Sequence, residues 1–134
     1  MAFKFENLEV WQRALEYGDA IESIAAALPA HERFNLAGQI RRAGTSIALN
    51  IAEGSVGQSD AEQVRFLGYA QRSLVETVAC LHLIRRRDHL KDPSPLREAY
   101  RQAETLFRQL AAFRRSLGSA VREEAVTYDA PPSF

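Results

Sequence analysis

The chain has 134 residues and balances 17 Lys and Arg against 17 Asp and Glu, so no net field draws it to a polyanion or an anionic membrane. Apolar residues make up 46 %, enough for one domain with a substantial core, and Cys80, the only cysteine, excludes an intrachain disulfide. No apolar run approaches the roughly 18 residues of a membrane span, and residues 1–7 lack the apolar core of a signal peptide, so the cytoplasm is the expected address.

Four helices follow from the spacing of apolar residues. The first is predicted over 7–28, with Asn7 as N-cap and Leu8, Trp11, Leu15, Gly18, Ile21, Ala25 and Leu28 at steps of three and four. Pro29 ends it, and a polar turn leads to a second helix over 34–56. This helix has three faces. Leu36, Ile40, Ala43, Ile47 and Ile51 form an apolar stripe. Ala37, Gly44, Ala48 and Ala52 form a small one, and Gln39, Arg42, Ser46, Asn50 and Glu53 form a polar one. Such a helix is expected to be enclosed on more than one side. Gly54 and Gly57 bracket its end, where glycine most easily takes a left-handed cap.

Ser59 and Glu62 have capping-box spacing and open a third helix, reaching about Leu90, with Gln63, Leu67, Ala70, Leu74, Val78 and Leu81 as its stripe. Asp92-Pro93-Ser94-Pro95 separates it from a fourth, predicted over 95–124 with Leu96, Ala99, Ala103, Leu106, Leu110, Phe113, Leu117 and Val121 as its seam. The tail, 125–134, has no period and contains Pro131-Pro132. It is expected to be flexible, with docking through Tyr128 and Phe134 as the alternative. Long helices joined by short turns, with no strand alternation, predict an all-α, antiparallel up-down-up-down four-helix bundle over 1–124.

Several motifs add to this. Asn7-Leu8-Glu9-Val10-Trp11-Gln12-Arg13-Ala14, Glu32-Arg33-Phe34-Asn35-Leu36, Gln39-Ile40-Arg41-Arg42-Ala43, Ser46-Ile47-Ala48-Leu49-Asn50-Ile51-Ala52-Glu53-Gly54 and the run from Arg65 to Glu76 occur in a characteristic order. Over about 5–90 the chain resembles the four-helix-bundle family named for a reading frame in intervening sequences of bacterial 23S ribosomal RNA genes, whose members are often labelled S23 ribosomal protein. It departs from that pattern at Leu49, where relatives usually carry a small residue, and at Arg72, where many carry glycine. The resemblance implies a bundle that assembles into a ring-like homopentamer without enzymatic activity. A related accessory protein of diversity-generating retroelements works with RNA and a reverse transcriptase, so RNA or a nucleoprotein is the first candidate partner beyond the chain itself.

The chemistry legible in the residues is sparse. The stripe Gln39, Arg42, Ser46, Asn50 and Glu53 reads as a polar seam or interface, because a buried Glu53 needs a partner from another helix or subunit. Whether such partners lie within one bundle or across subunits stays open. Arg85, Arg86, Arg87 and Lys91 are the candidate nucleic-acid contact, in a chain half (61–134) with 12 basic and 9 acidic residues. The competing reading places these cations at a helix C-terminus, where the dipole favours them. His31, His82 and His89 have no second histidine or cysteine at ligand spacing, so no metal site is expected. No phosphate loop, nucleophile signature or cofactor motif appears, and no catalytic residue is assigned.

Overall fold

The computed structural model describes residues 3–57, 59–118 and 134. Four helices form around a shared apolar core: α1 (Glu9–Ala26), α2 (Leu36–Gly54), α3 (Asp60–Arg86) and α4 (Ser94–Ser116). Short 3-10 turns, Lys4–Asn7 and Ala30–Glu32, precede α1 and α2, and there is no strand among the described residues. Each helix packs on its neighbours in sequence, α1 also packs on α4, and the α2–α3 pairing is the most extensive. The arrangement is consistent with a four-helix bundle. No described helix is long and apolar enough to cross a membrane.

The first helix begins later than predicted. Asn7 lies inside the 3-10 turn, and Leu8, with extended backbone, stands at the cap position. The turn is held by Glu6, whose carboxylate accepts from the Phe3 amide at 2.8 Å, and by Phe5, whose ring meets Trp11 edge-on at 4.8 Å. The inward stripe is also rotated from the predicted one. Val10, Ala14, Tyr17, Ile21 and Ile24 are buried, while Leu15 is exposed. Tyr17 turns the helix inward on its side because its phenol finds a partner across the core, Thr77 Oγ1 at 2.7 Å.

In α2 the predicted apolar stripe is fully buried. The small stripe permits close approach. A Cβ on Gly44 would lie 3.1 Å from Ile21 Cγ2, and outside that stripe, at the helix end, one on Gly54 would lie 2.5 Å from Phe66 Cβ. Gly57, not Gly54, takes the left-handed conformation that turns the chain toward α3, with φ +88°.

At the start of α3, Ser59 Oγ accepts from the Glu62 amide at 3.1 Å, but the Glu62 carboxylate pairs with Arg65 instead of completing the box. Its predicted stripe is buried, as is the free Cys80 thiol. The helix stops at Arg86, short of Leu90, in a Schellman motif: the Asp88 amide donates to Arg85 O and the His89 amide to Ile84 O. Asp88 supplies the left-handed residue, φ 55°, that this stop requires.

Asp92 Oδ1 accepts from Ser94 N and Ser94 Oγ at 3.0 and 2.7 Å, which fastens the entry to α4. This helix ends at Ser116, not Glu124, because Gly118 takes a left-handed cap, φ +71°. Val121 and the tail lie outside the described residues except for Phe134, which is buried with its ring 4.9 Å from that of His82 and 5.8 Å from that of Tyr100.

Candidate functional site

The polar stripe of α2 divides in two. Ser46 and Asn50 are half-buried in the seam facing α3. Ser46 Oγ bonds Ser73 Oγ at 2.7 Å, and Asn50 Nδ2 donates back to Ser46 O and Ser46 Oγ, both at 2.9 Å. The small polar seam is thus satisfied within one chain. Gln39, Arg42 and Glu53 are exposed, so the Glu53 carboxylate is solvated in the single chain and carries no burial penalty there. A second seam lies at the end of α2, where Ser55 Oγ donates to Ile51 O at 2.8 Å and accepts from Gln63 Nε2 at 3.1 Å.

The outward face of α2 is less polar than its sequence neighbours suggest. Leu49 is 62 % exposed and shares that face with Arg42, Thr45 and Glu53, while Val56, in the turn past the helix end, is 65 % exposed. Tyr69 of α3 is also exposed, and lies between Phe66 and Ser73, the points where α3 touches Gly54 and Ser46. Phe34, just before α2, is 91 % exposed with the Arg33 guanidinium 5.2 Å from its ring centre.

The basic run after α3 is partly neutralised. Arg87 Nη1 donates to Glu32 Oε2 at 3.0 Å, and Arg85 stands 3.7 Å from Asp88. Arg86 and Lys91 are exposed and form no ion pair among the described residues.

Glu32 is the buried carboxylate of the described residues. Its Oε1 accepts from Asn35 Nδ2 at 2.9 Å, and its Oε2 bonds His89 Nε2 at 2.5 Å besides Arg87. Asn35, then His89 and Arg87, hold this carboxyl down at about 2. His31 brings a third chemistry-bearing side chain: its ring lies 5.4 Å from that of His89, at 69°. The donor atoms of His31, Glu32 and His89 all lie within 4.8 Å of one another. No local spacing signals this grouping, since His31 and Glu32 precede α2 while His89 follows α3. Its one sequence trace is that both segments are connections between helices.

Helices fastened to one another by short polar seams, with most chemistry at one end and one outward face, define an all-α bundle protein. The chain belongs to the 23S rRNA-intervening sequence protein family, whose model matches residues 6–112 and so takes in most of the fourth helix, which the motifs did not reach. It is also similar to the crystal structure of a protein of unknown function from the S23 ribosomal protein family of Bacteroides thetaiotaomicron VPI-5482. That protein is 25 % identical, and the match covers 79 % of this chain and 98 % of that chain with a TM-score of 0.73. No match was found among curated proteins.

Proposed function

We propose that this protein is a non-enzymatic, cytoplasmic scaffold that works as a homo-oligomer, a ring-like pentamer of up-down-up-down bundles, and presents its surface to RNA or a nucleoprotein. The contacts of Gly54 with Phe66, Ser55 with Gln63 and Gln71 with Arg114 support alternating directions for α2, α3 and α4, since each joins the end of one helix to the first half of another. Asn50 spends its amide on Ser46 and Glu53 stands in solvent, which supports a structural role over acid-base chemistry.

The observation that carries the oligomer is Leu49, a large apolar side chain mostly exposed on α2 between Arg42 and Glu53, with Val56 exposed in the turn just beyond the helix. An apolar centre with a charged rim is the composition of an interface between subunits. Light scattering on the purified chain tests it. An oligomer at micromolar concentration is expected, and Leu49→Asp shifts the mass toward monomer with helicity unchanged. A clean wild-type monomer at that concentration sinks the proposal.

Direct RNA binding is the second reading and rests on Arg86 and Lys91, the exposed cations left after Glu32 and Asp88 engage their neighbours. It predicts a gel shift with structured RNA that weakens steeply as salt rises and is lost in an Arg86→Ala/Lys91→Ala variant. A shift insensitive to both changes removes this reading.

A further inference from the structure

We propose that His31, Glu32 and His89 form a binding site for a divalent transition cation of the zinc class. Their donor atoms lie within 4.8 Å of one another, brought together from two connections that are 57 residues apart in sequence. Two imidazoles and one carboxylate are a donor set suited to zinc and its neighbours, whereas calcium and magnesium require oxygen ligands. Three protein ligands leave a fourth position for water.

The surroundings are those of a held ligand set. Glu32 is buried, and Asn35 fixes its Oε1, which leaves Oε2 facing His89. His89 is set by the left-handed stop at Asp88, and its side chain is 9 % exposed. His31 is exposed at the mouth, where the ion and its water would enter. Two ligand atoms on one zinc lie about 3.3 Å apart in tetrahedral geometry. The Glu32–His89 pair, at 2.5 Å, therefore opens by less than an ångström, and the exposed His31 ring, within 4.8 Å, closes by up to about 1.5 Å. On binding, the cation replaces the proton shared by Glu32 Oε2 and His89 Nε2, which passes to His89 Nδ1 or to solvent, and each imidazole binds through an unprotonated nitrogen. Arg87, with its side chain 45 % exposed, is free to swing away from Oε2 as the cation replaces it.

The test uses the full chain without a histidine tag, stripped with chelator and titrated calorimetrically with zinc chloride, with cobalt(II) absorption as a second readout. Saturable uptake of one zinc per chain is expected, with tetrahedral cobalt bands and a raised Tm. His31→Ala abolishes all three, and because His31 is exposed this variant keeps the fold, checked by circular dichroism. Asn35→Ala, which frees the carboxylate, weakens uptake by roughly 10- to 100-fold. His82→Ala leaves uptake unchanged, since His82 faces Tyr100 and Phe134 instead. Absence of saturable uptake in the wild type overturns the proposal, as does uptake that survives His31→Ala. Uptake is counted per chain, so its failure is distinct from failure of the oligomer.

Discussion

At Tyr17 the direction of one hydrogen bond can be deduced. Thr77 Oγ1 lies 2.6 Å from Leu74 O, a carbonyl that only accepts, so the threonine proton goes there and the Tyr17 hydroxyl is the donor to Thr77. Tyr17→Phe removes that donor and is expected to lower stability by about 1 kcal/mol in urea denaturation. Burial pushes the phenol up from its ordinary value of 10.0. Its contribution is therefore complete below pH 10 and is lost as pH rises toward the folded-state value. Tyr17→Phe flattens this alkaline loss, which thermal melts across an alkaline series would show. Two glycines give opposite expectations for the same change. A Cβ added at Gly18 would meet nothing within 4 Å, so Gly18→Ala gains up to about 1 kcal/mol from helix propensity. A Cβ added at Gly54 would stand 2.5 Å from Phe66 Cβ, so Gly54→Ala loses about 1–3 kcal/mol. A lowered melting temperature for Gly18→Ala would defeat the first assignment, and a raised one for Gly54→Ala the second.

Among the elements, α2 was the most legible because its large, small and polar residues segregate at helical spacing, and both inner stripes meet partners of matching size. The first helix was less so. Its apolar arc is wide enough to be centred on either Leu15 or Tyr17, and only the position of Thr77, 60 residues away, decides. Ends were hard to place where the stop comes from a residue other than the obvious proline or glycine, as with Asp88, or where apolar spacing runs past a capping glycine, as with Gly118. The entry to α4 carries its own prediction. The Ser94 amide and hydroxyl hold the Asp92 carboxyl below its ordinary 3.8. Its contribution is present above pH 3.8 and is lost as pH falls through the lowered value. Asp92→Ala is expected to melt earlier than wild type at neutral pH, with the difference closing in acid.

For the whole molecule, long helices with short turns and family motifs indicated a bundle, but the gathering of His31, Glu32 and His89 could not be read locally, because it depends on which two connections share an end. The outward Leu49 was visible only as a departure from the family pattern, and its exposure is what gives that departure meaning. If the chain is an oligomer, its Tm rises with protein concentration by mass action. Melts over a hundredfold dilution check this, and a Tm independent of dilution argues for a monomer.

The Glu32–Arg87 bond has a topological consequence. It joins residues 55 apart and encloses α2 and α3 entire, so the middle of the chain is a ring closed without a covalent link. Within that ring lies the most extensive helix pairing of the fold, tied also by Ser46 to Ser73 and Ser55 to Gln63. The outer helices α1 and α4 dock onto a unit that is already circular. Native-state hydrogen exchange should then divide the molecule by topology, with amides of α2 and α3 the last to open and those of α1 and α4 released before them.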